Sequence, residues 1–239
     1  MNKKDSLIML LTEDGSATIY NHEKKEHFHS IHGAVQESRH VFIEVGLKYI
    51  LNDRNDINIL EIGFGTGLNA LLTLDQIISK NSLSESLGCE TVKVSYTGIE
   101  PFPLDYEMVE SLNYAGFLKI ESLQKSFFEM HHTCNDYFKT IYKCFTFRKL
   151  ITEYQDYKKE DLTYDLVYFD AFSPATEPNL WTRDVFEKLW DSMSDKGVIV
   201  TYCSKGSVRR LMNECGFKTE RLPGPPGKHE MLRGIKILK

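Results

Sequence analysis

The sequence predicts a doubly wound α/β fold: a mostly parallel sheet with helices on both faces. Three observations predict it. Short apolar runs alternate with helix-length amphipathic runs along most of the 239 residues, the pattern of parallel strands joined by crossover helices. One run, Ile57 to Ile62, enters a Gly63-x-Gly65-x-Gly67 array that opens directly into a helical run. Three acids, Glu61, Glu100 and Asp170, stand at or beside the carboxyl ends of apolar runs, where open α/β sheets bind ligands.

Each element has its own signal. Residues 7–11 and 16–20 read as short strands about the turn Glu13-Asp14-Gly15. Gly33 to Ile50 reads as a helix with Val35, Val41, Phe42, Val45 and Tyr49 on one face. The Ile57–Ile62 strand and its glycine turn lead to a helix over Leu68–Ser79, then a polar loop over Asn81–Thr91. Val92 to Ile99 is a strand ending in Glu100-Pro101, and Leu104 to Tyr114 a helix. Residues 116–147 interrupt the alternation with aromatic and charged residues and are expected to form one or two helices. Phe147–Thr152 reads as a short strand and Leu166–Phe169 as a buried one. A helix over Arg183–Met193, a strand over Gly197–Cys203 and a helix over Gly206–Glu214 follow. Phe217–Leu222 and Met231–Leu238 close the chain as paired strands around Pro223-Gly-Pro-Pro-Gly227. The expected organisation is an N-terminal extension (1–52) packed on a core domain (53–239) that carries a helical insertion at 116–147.

Composition narrows the class. The apolar fraction is ordinary, so a core forms without staples. Five cysteines show no C-x-x-C pair, which reads as free thiols in a reducing compartment. The N-terminus lacks a signal-peptide pattern, and no run approaches the ~20 apolar residues of a membrane helix. A soluble cytoplasmic protein with no membrane partner is expected. Net charge is −5. Residues 196–239 nevertheless hold ten Lys/Arg against three Glu, a net of +7, which leaves −12 on residues 1–195. Such a basic quarter either meets phosphate or forms a solvated face, and charge alone does not choose.

Four acids and a glycine array carry the chemistry. Glycine has no Cβ and reaches positive φ cheaply, so backbone can approach a ligand closely. A carboxylate at Glu61 disfavours phosphate and suits a cation. That points away from a dinucleotide and toward S-adenosylmethionine, whose amino and sulfonium groups are positive. Glu100 is suited to a ribose diol, a role shared with dinucleotide enzymes. Asp156, after the third strand, is a candidate for an adenine amino group, set against a solvated acid among Glu153, Lys158, Lys159, Glu160 and Asp161. Asp170 is the sharpest signal. It directly follows Leu166-Val-Tyr-Phe169, where an acid is costly unless it is paired or faces a cleft, and Pro174 and Pro178 stiffen the loop beyond it. The competing reading is an N-cap. Histidines 22, 27, 29, 32 and 40, and His131-His132 with Cys134, lack the ligand pattern of a zinc site, so hydrogen-bonding or surface roles and no metal are expected. Ser204 and Ser207 lack a nucleophile elbow.

Several segments together resemble one family, the methyltransferases that form 5-methylaminomethyl-2-thiouridine in tRNA. They are Thr12-Glu-Asp-Gly-Ser16, Gly33-Ala-Val-Gln-Glu-Ser-Arg-His-Val-Phe42, Glu61-Ile-Gly-Phe-Gly-Thr-Gly-Leu-Asn69, Phe169-Asp-Ala-Phe-Ser-Pro174, Pro178-Asn-Leu-Trp-Thr182, Val208-Arg-Arg210, Gly216-Phe217 and Lys228-His-Glu-Met-Leu232. The resemblance implies a class I, Rossmann-like methyltransferase fold with a seven-stranded sheet. It implies S-adenosylmethionine as cofactor, with no metal and no flavin. The reaction it implies is methyl transfer to the amine of 5-aminomethyl-2-thiouridine at the tRNA wobble position. Gln36, Glu37, Phe64, Thr66 and Asn69 join Glu61, Gly63, Gly65, Gly67, Glu100, Asp156 and Asp170 as expected cofactor contacts, and Asp170 is the candidate catalytic acid. Lys205, Arg209, Arg210 and Lys228 are candidates for anticodon stem-loop phosphates. Phe172, Trp181 and Arg210 could stack on a splayed base, with Pro174 shaping the loop; for Trp181 a core anchor competes. The chain departs from the family in having Gln155-Asp156 where Gly-Asp is expected. It also lacks the flavin-dependent oxidase often fused to this domain, so a separate oxidase is the expected upstream partner. Three further readings stay open. They are a small-molecule amine methyltransferase, a nicotinamide dehydrogenase (against which Glu61 argues) and a non-catalytic RNA-binding module.

Overall fold

The computed structural model describes residues 6–88, 91–134, 136–158 and 160–238; Cys89 and Lys159 lie outside them. Strands β1 (Leu7–Leu11), β2 (Ala17–Asn21) and β3 (Glu26–His27) form a small antiparallel sheet. The main sheet contains β4 (Asp56–Ile62), β5 (Lys93–Ile99), β6 (Lys139–Tyr142), β7 (Phe145–Leu150), β8 (Tyr164–Phe169), β9 (Met193–Thr201), β10 (Lys218–Pro223) and β11 (Glu230–Ile235). Their order is β10-β11-β9-β8-β4-β5-β7-β6. The strands from β7 to β9 run parallel, while β10, β11 and β6 pair antiparallel with their neighbours. The seven expected strands are present, and β6 adds an eighth at one edge. β4 has β5 on one side and β8 on the other, so the winding reverses there. That is where ligands bind in open sheets.

The strands are where they are because they are apolar on both faces. All six residues of β8 are buried, and from Ile57 to Ile62 only Asn58 of β4 is not. Helices cover these faces: α1 (Ala34–Ser38), α2 (Lys48–Ile50), α3 (Leu68–Ser86), α4 (Tyr106–Ser111), α5 (Tyr114–Phe117), α6 (Gln124–His132), α7 (Arg183–Ser192) and α8 (Gly206–Glu214). The four described cysteines 134, 144, 203 and 215 are free.

Four expectations need correction. A nine-residue π-helical segment, Arg39–Leu47, joins α1 to α2. Its wider turn shifts the face, so Ile43, Leu47 and Ile50 point inward while Tyr49 is exposed, its ring 3.9 Å from the Arg233 guanidinium. The 81–91 segment is not a loop throughout, because α3 continues to Ser86. Its polar residues serve the helix: Ser82 Oγ donates back to Ile78 O, and Asn81 exchanges two hydrogen bonds with the backbone of Val92, 2.7 and 2.8 Å. The 104–114 helix breaks at Asn113, which sits left-handed at φ 44°, a conformation asparagine tolerates. Finally, the 116–147 insertion is helical only in part. After α6 it forms β6 and the start of β7, because alternating residues of Phe145-Thr-Phe147 bury against β5.

Phe42 ties the N-terminal helix to the sheet. It is 1% exposed and its ring centroid lies 5.1 Å from that of Tyr168. Phe42→Ala is expected to lower the unfolding free energy by about 3–5 kcal/mol, read from the urea midpoint. A loss under about 1 kcal/mol would mean this contact is not a principal anchor.

Candidate active site

A cavity of about 1230 Å³ opens at the carboxyl ends of β4, β5 and β8. The turns after these strands form its floor, and residues of the small N-terminal sheet, Phe28 and His29 among the segment that follows it, form a wall. The glycine turn is shaped by its own backbone. Gly63 N and Phe64 N both donate to Ile99 O at 3.1 Å, and Gly67 N donates to Phe64 O at 2.8 Å. Gly63, Gly65 and Gly67 have φ of 87°, 48° and 72°. A Cβ on Gly63 would stand 2.5 Å from Asp170 O, so glycine is required where the turn meets the loop after β8.

Two carboxylates meet beneath this turn. Asn69 Nδ2 donates to Glu61 Oε1 at 2.9 Å and to Asp170 Oδ2 at 2.8 Å. Burial holds the Glu61 carboxyl well above the usual range; the Asn69 bond opposes this and the Asp170 charge adds to it. Burial likewise pushes Asp170 up to about 7, helped by the Glu37 charge and opposed by Asn69 and Lys228. Glu61 is fully buried and does not line the cavity, whereas Asp170 does. Glu61 therefore acts through Asn69 rather than facing a ligand, which corrects its expected role as a direct contact.

Glu100 ends β5 with Oε2 accepting from Gly65 N at 2.8 Å and Oε1 from Phe102 N at 2.9 Å. A carboxylate has about four lone-pair sites, so both oxygens retain capacity for a diol. Burial raises its pKa. Gly63, Phe64, Gly65 and Thr66 line the cavity with Glu37, while Gly67 caps α3 behind it.

Other candidates fall elsewhere. Gln36 is exposed and outside the lining, because α1 turns Glu37 inward instead. Asp156 is exposed, with Lys188 as its charge neighbour, and Glu153 and Tyr154 line the cavity in its place. Trp181 is 8% exposed, packs on Phe169 at 4.8 Å and donates Nε1–H to Phe172 O at 2.8 Å. It is a core anchor for the loop rather than a stacking platform. Phe172 lines the cavity, edge-on to Phe28 at 5.2 Å. Pro174 lies outside the lining. Lys205, Arg209 and Arg210 are exposed on and before α8. Lys228 lines the cavity, 2.5 Å from Glu37 Oε1 and 3.9 Å from the Tyr202 ring centroid, and is thus paired inside.

The sequence reading missed several contributors. Glu26 accepts from Ser173 N and Oγ at 3.0 and 2.9 Å and from Thr176, and Lys24 pairs with Glu177. These contacts moor the loop after β8 to the N-terminal sheet. The available signal was the density of charge and aromatics at 23–28, which has no core-forming period. Among the described residues no group of three His, Cys, Asp or Glu could hold a metal.

Residues 119–237 match the model of a protein family described as S-adenosyl-L-methionine-dependent methyltransferase. The chain belongs to this family. It is 28% identical over 215 residues to the tRNA 5-methylaminomethyl-2-thiouridine biosynthesis bifunctional protein MnmC of Pseudomonas fluorescens, covering 87% of this chain and 32% of that protein. The protein of the same name from Leptospira interrogans is 27% identical over 234 residues, covering 94% and 35%. The methyltransferase thus spans about a third of the length of these relatives. The crystal structure of MnmC2 from Aquifex aeolicus shares the fold, with a TM-score of 0.69 at 22% identity over 98% of this chain and 73% of that one. The cavity suits the family's cofactor. It has a three-glycine cradle, a strand-end carboxylate with open lone pairs, and a lining in which Glu23, Glu26, Glu37, Glu100, Asp105, Glu107, Glu153, Asp170 and Glu177 outnumber Lys24 and Lys228. Such a lining favours a cation.

Burial holds His29 down to about 4, well below its unfolded value near 6.5. Its neutral form is favoured in the fold, so its contribution is complete above about pH 6.5 and is lost as pH falls toward 4. The stability difference between wild type and His29→Asn should shrink by about 2 kcal/mol between pH 7 and pH 5. Paired denaturant melts check this, and a difference constant with pH would refute it.

Proposed function

We propose that the enzyme methylates the primary amine of 5-aminomethyl-2-thiouridine at the wobble position of tRNA, giving 5-methylaminomethyl-2-thiouridine. The observation that carries this reading is the acidic cavity with Asp170 where the cofactor turn meets the loop after β8. An alkylamine acceptor is a cation in water, and a carboxylate-lined cavity attracts it while repelling phosphate. The relatives named for 5-methylaminomethyl-2-thiouridine biosynthesis support the choice of amine.

S-adenosylmethionine, when bound, supplies an electrophilic sulfonium methyl group. Glu100 and the backbone of Gly63 to Thr66 are the residues that would hold it. Asp170 works on the acceptor. Once ionised, above about pH 7, it accepts an N–H bond from the neutral amine and so aims the lone pair. The ammonium form must first lose a proton to water; as the N–C bond forms and the donor's carbon–sulfur bond breaks, the positive charge would pass to nitrogen beside this fixed carboxylate. Asn69 keeps the carboxylate in place. Phe172 and Phe28 present aromatic surface for a splayed base. Outside the cavity lining, the exposed Lys205, Arg209 and Arg210 follow the lining residue Tyr202 in the chain and are suited to anticodon-loop phosphates. No helix among the described residues is long and apolar enough to cross a membrane. A separate flavin-dependent oxidase fits the earlier step that would expose the amine.

Asp170→Asn should reduce methyl transfer by about a hundredfold or more while S-adenosylmethionine affinity changes only a few-fold. The assay is tritium transfer from labelled cofactor to bulk tRNA of a strain lacking this gene, followed by nucleoside analysis. A full-rate variant would remove Asp170 from the mechanism. Label in a small amine but never in tRNA would replace the substrate. Arg209→Ala with Arg210→Ala should weaken tRNA binding and flatten its salt dependence by about one to two units of log–log slope, with cofactor affinity unchanged; an unaltered slope would move the tRNA surface elsewhere.

A further inference from the structure

Two histidines from different parts of the chain meet at one residue of the cofactor turn. His29 Nε2 lies 2.7 Å from Thr66 Oγ1, and His131 Nε2 lies 3.0 Å from Thr66 O. We propose that His29 and His131 are positioning residues that grip Thr66 from two sides and hold the glycine turn in its cofactor-binding shape.

Both rings are built in. His29 is 8% exposed, and its backbone N–H donates to Thr18 Oγ1 of β2 at 3.1 Å. His131 sits on α6, its ring 5.0 Å from that of Phe64 and 4.8 Å from that of Phe127, and its carbonyl accepts from buried Lys149. A Cβ on Gly67 would come within 2.7 Å of His131 Nε2, so the ring closes directly over the turn. Thr66 O can only accept, which fixes the His131 tautomer with hydrogen on Nε2. Lysine or arginine at position 131 would add a second charge beside buried Lys149, whereas a neutral imidazole does not.

The turn needs outside support. Three glycines within five residues give it a large conformational entropy when free. Any ordering left until ligand arrives is subtracted from affinity. Thr66 is 1% exposed, and its hydroxyl and carbonyl are anchored from outside the turn, one by the N-terminal segment and one by the insertion. Both regions thereby become parts of the cofactor site although neither supplies the strand-turn-helix motif. The sequence reading expects hydrogen-bonding or surface roles for these histidines, and the geometry gives two of them a hydrogen-bonding one.

The test reads cofactor binding and does not depend on which substrate is methylated. Thr66→Val removes Oγ1 and keeps the side-chain shape. It should raise the Kd for S-adenosylmethionine about tenfold, the size of one buried hydrogen bond. Thr66→Ser should restore the affinity. His131→Leu should weaken binding similarly, and His131→Gln should recover part of it. The double variant His29→Ala, Thr66→Val should bind no worse than His29→Ala alone. Amide hydrogen exchange in the ligand-free proteins should be faster at Gly65 to Gly67 in the weakened variants, which separates a loosened turn from a lost contact. If Thr66→Val does not fold, His29→Gln carries the same expectation. Wild-type Kd in Thr66→Val and His131→Leu, or fully additive losses in the double variant, would overturn the proposal.

Discussion

One side-chain amide holds the acidic centre together. Asn69 offers both its N–H bonds to carboxylates, one on Glu61 and one on Asp170. Two like charges cannot both ionise cheaply in a buried place, so the pair divides its protons by environment. Glu61 lies under the turn with no exposure, one oxygen accepting from Asn69 and the buried Tyr96 hydroxyl close by. Burial beside the Asp170 and Glu100 charges makes its ionised form costly, whereas a protonated one is tolerable. Asp170 faces the cavity and is raised only to about 7. Glu61 is therefore the neutral member and Asp170 the one that carries charge near neutral pH. A side chain that donates twice and carries no charge is what the position demands.

This centre exists because of strand order. β4 and β8 are neighbours and run parallel, so the turn after one and the loop after the other leave the sheet side by side. Gly63 then touches Asp170 backbone with no room for a Cβ. The N-terminal segment completes the site from outside the sheet, with Glu26 and Lys24 on the loop after β8, His29 on Thr66 and Glu37 on Lys228. Cofactor turn and acceptor loop are thus held by the same added segment, so loosening it loosens both.

Much of this was legible before any coordinates. The strand-turn-helix around Gly63 to Gly67 and the acid closing Leu166–Phe169 are local patterns, and residues of both line the one cavity. What was hidden is pairwise and long-range. Lys228 looks like a free cation in sequence but finds Glu37 across 191 positions, and Glu61 looks like a ligand but is turned away by Asn69. Trp181 carries no sequence mark that tells a base platform from an anchor; its bond to Phe172 O decides that. The π-helical segment at Arg39–Leu47 escaped because a period of 3.6 was assumed where the chain turns more widely. The helix to Ser86 escaped because serine and asparagine signal loops unless their side chains find other partners; here Ser82 bonds back into the helix and Asn81 bonds the backbone of Val92.

The distribution of charge also acquires a mechanism. Part of the positive charge in the last 44 residues (196–239) is already committed. Arg221 pairs with Glu230, Arg233 with Glu220 and Lys228 with Glu37, while Lys236 donates to the carbonyls of Trp190 and Met193. Exposed charge concentrates on Lys205, Arg209, Arg210 and Lys218, along α8 and the start of β10. Inside, carboxylates dominate the cavity. On the proposed function the two fields have opposite tasks. A polyanion such as tRNA would be drawn to the outer face and turned away from the acidic interior, so its backbone would stay out. A single modified base bearing an amine is cationic and would cross that boundary alone. On that reading the charge asymmetry is a filter that separates the part of the substrate to be held from the part to be methylated.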